Sequence, residues 1–213
     1  MALSGWSTSN FLQTSSAVIT GGTFTFSGWF YITGAPAAAA NLVNVTASAN
    51  TTNRYSFFIS TAQKMTFNAN GSTALQVVGA TNVPLNQWNH FAAVQRADND
   101  REVYLNGVSD GTSVTNVTTS GINQTSIGIR GGSSNANAFT GYAAEICIRN
   151  INLTLAEIKE EARGFAAYLI APQNIKAYYP LLTTTSPGNN RFANFNLSLT
   201  GSVTKQNHPR IYY

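Results

Sequence analysis

Hydrophobic residues recur at every second position along much of the chain. Between Phe24 and Ile32 one set holds Phe24, Phe26, Phe30 and Ile32, the other Thr25, Ser27, Trp29 and Tyr31. Side chains of an extended backbone point alternately to opposite faces, so this segment predicts a strand with one face in a core. Tyr142, Ala144, Ile146 and Ile148 alternate likewise with Ala143, Glu145, Cys147 and Arg149, and Val103 and Leu105 with Glu102, Tyr104 and Asn106. Trp88, His90, Ala92 and Val94 share one face of a further strand. Asn70-Gly71 and Asn106-Gly107 supply the positive φ angles of tight type I′ hairpins. Ala97-Asp98-Asn99-Asp100 joins two runs in a longer hairpin, and 35–40, 131–137 and 186–190 read as loops. One short helix is predicted near 154–163. Thr154 and Glu157 have capping-box spacing, Leu155, Ile158 and Ala162 recur at helical spacing, and Gly164 ends the run. About a dozen short strands, with no repeat and no linker-like break, predict an all-β sandwich or barrel in a single domain, 1–213.

Composition narrows the function classes. Aromatic residues (11%) outnumber charged ones (9%), the reverse of a disordered chain or a coiled coil. No run reaches the roughly 18 apolar residues of a membrane-spanning helix. The net charge of +4 invites a nucleic-acid reading. However, Arg54, Lys64, Arg96, Arg101, Arg130, Arg149, Lys176 and Arg191 are spread along the chain, and phosphate binding needs clustered charge. A single cysteine, Cys147, forbids an intrachain disulfide and reads as a half-buried hydrophobe of an alternating strand. The opening Met-Ala-Leu-Ser-Gly-Trp lacks the pattern of a secretory signal. The Asn-x-Ser/Thr triplets at Asn44, Asn116 and Asn152 are then by-products of composition, and synthesis in a cytoplasm is expected.

The order of local motifs resembles a known family. It runs Phe24-Thr-Phe-Ser-Gly-Trp-Phe30, Trp88-Asn-His-Phe-Ala-Ala-Val94, Val103-Tyr-Leu-Asn-Gly107, Ser126-Ile-Gly-Ile129, Phe139-Thr-Gly-Tyr-Ala-Ala-Glu-Ile146, Leu153-Thr-Leu-Ala-Glu-Ile158 and Tyr178-Tyr-Pro-Leu181. Together they resemble the laminin-G-like branch of the concanavalin A-like lectin/glucanase fold. The resemblance implies a two-sheet antiparallel jelly-roll sandwich with a core over about 10–199, a C-terminal extension at 200–213, and terminal strands paired to each other. Tyr178–Leu181 would run beside the first strand, Trp88 would anchor the core, and His90 reads as a hydrogen-bonded, partly buried side chain.

Catalytic patterns are missing. Retaining glycosidases of this fold carry Glu-x-Asp-x-x-Glu, which sets two carboxylates on one face of a groove. None of the eight acids, Asp98, Asp100, Glu102, Asp110, Glu145, Glu157, Glu160 and Glu161, reproduces it. No Gly-x-Ser-x-Gly elbow accompanies His90 and His208, and one Cys with two distant His makes no zinc site. Calcium is common in the resembled family. Asp98, Asp100 and Asp110, with Asn99, are the calcium candidates, the alternative being turn chemistry. Sugar faces stack on exposed rings, so Trp29, Tyr31 and Tyr104, on the less apolar faces of their strands, are the ligand-binding candidates. The alternative is packing under loops or at a protein interface.

The expectation is a non-catalytic structural or binding module with no cofactor. A looser resemblance, resting on Thr/Ser/Asn-rich strands and the ending His208-Pro-Arg-Ile-Tyr-Tyr213, is to tailed-phage virion proteins: capsid decoration, tail or fibre. Its partners would be capsid or tail proteins and host surface glycans, with neither nucleic acid nor a membrane, and open strand edges would suit a homo-oligomer. The alternatives are a free-standing lectin and, with the acids placed as they are, the disfavoured glycoside hydrolase.

Overall fold

The computed structural model describes residues 1–192 and 195–212. Fifteen strands form among them: β1 (Ala2–Ser4), β2 (Phe11–Thr14), β3 (Phe24–Tyr31), β4 (Ala40–Thr46), β5 (Arg54–Ile59), β6 (Lys64–Asn70), β7 (Ala74–Asn82), β8 (Trp88–Ala97), β9 (Asp100–Leu105), β10 (Val108–Ser113), β11 (Gln124–Ile127), β12 (Tyr142–Arg149), β13 (Ile175–Tyr179), β14 (Ser198–Thr200) and β15 (Thr204–Gln206). One α-helix, α1 (Leu155–Ala162), follows β12. The strands build two antiparallel sheets. Eight belong to the first, ordered β10-β9-β8-β3-β12-β1-β15 with β13 also on β12, and seven to the second, ordered β14-β2-β11-β4-β5-β6-β7. The expected all-β sandwich with one helix is the fold observed. Among the described residues no helix is long and apolar enough to cross a membrane.

Aromatic rings join the sheets. Phe24, Phe26 and Phe30 of β3 project inward, fully buried, and Phe57 of β5 stacks on Phe91 of β8 with centroids 4.0 Å apart and planes 9° off parallel. Removing this much apolar surface from water is the main driving force for closing the sandwich. Thr154 and Glu157 cap α1 reciprocally, as their spacing predicts.

Three expectations need correction. The alternation in β12 breaks. Ala144 pairs with Trp29 and Cys147 with Ser27, so Glu145 and Ile146 together oppose the single residue Gly28. This bulge, with Glu145 at φ 55°, puts Ala143, Ile146 and Ile148 in the core and Tyr142, Ala144, Cys147 and Arg149 outside. Asn106-Gly107 (φ 51° and 80°) does make the two-residue turn, but Asn70 is the last residue of β6 and its hairpin turns through 71–73. The core also reaches beyond 10–199. β1 pairs with β15, buried Leu3 and Val203 join the central cluster, and β13 pairs with β12 rather than with the first strand. Tyr213 of the C-terminal ending lies outside the described residues.

Candidate functional site

Each sheet has an outer face, and the two differ. On the eight-stranded sheet most of that face is covered. Leu153 and Ile158 of the α1 region pack on Ala92, Val94 and Tyr104, while Ala167 and Tyr178 cover Cys147. Burial pushes the Cys147 thiol up to about 12, so it is a packing group and not a nucleophile. Under α1 lies a polar network. Arg149 donates to Glu161, to Ser27 Oγ (3.1 Å) and to Ala167 O (2.7 Å), and His90 Nε2 is 3.3 Å from Glu161 Oε2. His90 is therefore fully buried, with Trp29 against its ring at 5.3 Å.

Tyr104 does not line an open surface as expected. It is only 4% exposed, and its hydroxyl donates to Glu102 Oε2 (2.6 Å) and accepts from Arg96 Nη2 (2.9 Å). Burial and the Glu102 carboxylate push its phenol up to about 12. Trp29 and Tyr31 remain half-buried at the uncovered end of this face. Trp88 joins them there instead of anchoring the core. Tyr31 stacks on Tyr142 at 4.8 Å and meets Trp88 at 5.9 Å, so the rings are largely spent on one another. A surface pocket of about 320 Å³ beside Tyr142 is lined by Trp6, Phe139 and Gly141 among others.

The calcium candidates do not converge. Asp100 pairs with Arg96 (3.1 Å), Asp110 Oδ1 accepts from Thr81 N (2.9 Å), and Asp98 lies in the β8–β9 turn. No group of three or more His, Cys, Asp or Glu able to hold an ion forms among the described residues, so the residues do not fit a calcium site.

Among the described residues no helix packs on the outer face of the seven-stranded sheet, a face that the sequence does not single out. Strand register sets one polar row straight across it: Ser198, Gln13, Ser126, Asn44, Ser56, Asn68 and Gln76 are successive cross-strand partners. Thr66 lies on the same face of β6. The row exists because β4, β5 and β6 turn apolar side chains inward, while small polar ones, together with Arg54 and Phe58 of β5, face outward.

These outward groups are recessed. Asn44 is 0% exposed, and neither its amide nitrogen nor its oxygen has a hydrogen-bond partner among the described residues; Ser56 Oγ and Thr66 Oγ1 share that condition. The 128–139 segment folds back over one side. Gly132 N donates to Gln124 Oε1 (2.8 Å), Gln13 Nε2 donates to Asn135 Oδ1 (3.4 Å), and Ser133 N donates to Asn50 O (3.3 Å). The approach is close enough that a Cβ on Gly131 would sit 2.5 Å from Gln124 Oε1.

Two arginines meet this corner. Arg54 of β5 donates to Thr51 O and, from Nε, to Asn68 Oδ1 (3.2 Å), the Asn68 amide being oriented so that its nitrogen donates to Leu75 O (3.1 Å). Arg130 opens the overlying segment, and its Nε is buried with no partner among the described residues. Burial, then the charge of Arg130, lowers the Arg54 pKa. Neither arginine forms an ion pair among the described residues. The seven strands contain no acidic residue and two basic ones, Arg54 and Lys64. All eight carboxylates of the chain belong to the other sheet, its β8–β9 turn, or α1. The face thus has a small-residue polar floor and a one-sided positive charge.

Two stacked antiparallel sheets of this connectivity define a lectin-like sandwich. The chain belongs to the concanavalin A-like lectin/glucanases superfamily, whose laminin-G-type family model matches residues 7–159. A comparison with characterised protein sequences finds no match. Solved structures of the same fold include a heptameric SAP-like pentraxin from Limulus polyphemus, with TM-score 0.57, 16% identity, and 72% of this chain and 75% of that one covered. The CBM40 of a Ruminococcus gnavus IT-sialidase, bound to α2,3-sialyllactose, has TM-score 0.59, 13% identity, and 70% and 84% covered. Domain 4 of the Geobacillus stearothermophilus arabinanase AbnA, in complex with arabinotriose, has TM-score 0.55, 16% identity, and 69% and 70% covered.

Proposed function

We propose that this chain is a non-catalytic module that binds glycans on the outer face of its seven-stranded sheet. One observation carries the reading: Asn44, Ser56 and Thr66 present recessed polar atoms that no protein group satisfies among the described residues. Leaving a buried polar group unpaired costs about 1–3 kcal/mol, so such a row is costly unless a polar ligand uses it. Sugar hydroxyls, each both donor and acceptor, match amide and hydroxyl partners of this kind. Two relatives of the same fold hold saccharides, sialyllactose and arabinotriose, which supports the reading at the level of fold. The absence of catalysis is supported by the acids. The two buried carboxylates are consumed elsewhere, Glu161 by Arg149 and His90 and Glu145 by Tyr178 and His208, whereas glycoside hydrolysis needs two carboxyl groups facing one bond.

A glycan array run with the wild type and with Asn44→Leu tests this. Wild type is expected to bind a defined set of glycans and Asn44→Leu to lose them, with a urea midpoint unchanged or raised, because the substitution removes unpaired polar atoms. No glycan bound by the wild type overturns the reading. Binding that survives Asn44→Leu but disappears in Tyr31→Ala moves the site to the aromatic end of the other sheet.

The module's setting is a second proposal: display on the outside of a tailed-phage particle, attached to capsid or tail protein. The Thr/Ser/Asn-rich strands support it. Mass spectrometry of purified particles should find the chain, and particles without it overturn this setting while leaving the glycan reading intact.

A further inference from the structure

The charge distribution of the floor says more than that hydroxyls are recognised. Arg54 and Arg130 approach it from two sides. Arg54 rises from β5, pinned through Thr51 O and Asn68, and Arg130 leads the segment that crosses Gln124, Ser126 and Gln13. The β4–β5 turn and this segment touch through Ser133 N and Asn50 O (3.3 Å), which brings the two guanidinium-bearing elements to one corner. A partly exposed guanidinium ordinarily finds a carboxylate, as Arg96 and Arg163 do here. At this corner no acid is within reach, because none of the seven strands carries one. Two like charges held together without a counter-ion repel each other, and an anion that bridges them relieves that repulsion. The guanidinium fork matches the oxygens of a carboxylate or a sulfate in a bidentate pair.

We propose that the glycan bound on this floor carries an anionic group, a carboxylate or a sulfate, seated between Arg54 and Arg130 while its neutral ring hydroxyls meet Asn44, Ser56 and Thr66. This rests on the glycan-binding reading above. It makes the arginines the determinants of ligand class and the polar row the general sugar-binding surface.

The test uses the full chain on an array of matched pairs: neutral glycans beside their sialylated, uronate-bearing and sulfated counterparts. Acidic members are expected to exceed their neutral parents by at least about ten-fold, the magnitude of one charge-assisted hydrogen bond. The excess should shrink as salt rises from 50 to 500 mM, a range over which the screening length falls well below 10 Å. Arg54→Gln and Arg130→Gln should each bring acidic glycans down to the level of their neutral parents, and Arg130→Lys should restore part of the difference. A preference for sialylated and uronate members only identifies the carboxylate as the anion, and one for sulfated members only identifies the sulfate. Equal binding of neutral and acidic members overturns this inference and leaves the glycan reading standing. An acidic preference unchanged in both Gln variants overturns the assignment to Arg54 and Arg130. Binding to nothing on the array overturns the reading on which the inference rests.

Discussion

Arg149→Met should lower the stability of the folded chain by about 3–5 kcal/mol at pH 7, the range for breaking one side of a buried ion pair. Arg149 is fully buried on the outer face of β12, where its guanidinium serves Glu161, Ser27 and two backbone carbonyls, Ala167 O and Ile170 O. Removing it leaves the Glu161 carboxylate beneath α1 with no full counter-charge, only His90 Nε2 at 3.3 Å and the Ser27 hydroxyl. The double variant Arg149→Met with Glu161→Leu should recover most of the loss, because it removes both charges and fills the space with apolar groups. The same pair makes stability depend on pH. Burial alone would raise the Glu161 pKa, but Arg149 and His90 outweigh burial and hold it below the usual carboxylate range. A carboxyl whose pKa is lower folded than unfolded contributes fully above its unfolded value, about 4.3. That contribution is lost as pH falls through the folded value. Urea midpoints at pH 7, 5 and 3.5 should therefore fall steeply at the acid end for wild type and less steeply for Glu161→Gln, which starts lower. Equal acid slopes in the two proteins would show that the buried carboxylate is not the titrating group.

The fold was legible where the sequence alternates in register with its faces. β3 reads directly, since Phe24, Phe26 and Phe30 all turn inward, and the Asn106-Gly107 turn and the capped α1 follow from two or three residues each. β12 was misread because a bulge shifts the phase by one residue in midstrand. Its cause, two residues opposite Gly28, lies on a partner strand more than a hundred positions away. The buried arginines were illegible for a related reason. Arg101 and Arg149 look like any exposed strand arginine until Gln95, Glu161 and a set of carbonyls assemble around them. The candidate floor carries no exposed ring to mark it in the sequence. Trp29 and Tyr31 lie at one end of β3 in the covered sheet, while Asn44, Ser56 and Asn68 belong to three strands whose register alone aligns them. One signal was present. The outward positions of β4, β5 and β6 hold several small amides and hydroxyls, Asn44, Ser56, Thr66 and Asn68, in strands whose inward positions are apolar.

Two adjacent residues of β5 should give opposite results when each is cut back to alanine. Phe57 stacks on Phe91 across the sandwich at 4.0 Å and meets Phe30 at 6.1 Å. Phe57→Ala should cost about 3–5 kcal/mol, because the transfer energy of the ring is lost and the rigid sheets cannot close the cavity it leaves. Ser56 points the other way, its hydroxyl buried and without a partner among the described residues. Ser56→Ala orphans no other group, so its urea midpoint should stay within about 0.5 kcal/mol of wild type or rise. Glycan affinity should divide the pair in reverse. Wherever Phe57→Ala remains folded, its outward row is intact and it should bind like wild type, whereas Ser56→Ala removes a contact and should bind more weakly. A one-residue step in a strand exchanges core for floor, so the comparison separates what holds the sheets together from what they present. If Ser56→Ala were destabilised by as much as Phe57→Ala, the Ser56 hydroxyl would be holding the fold together and the outward row could not be a ligand surface.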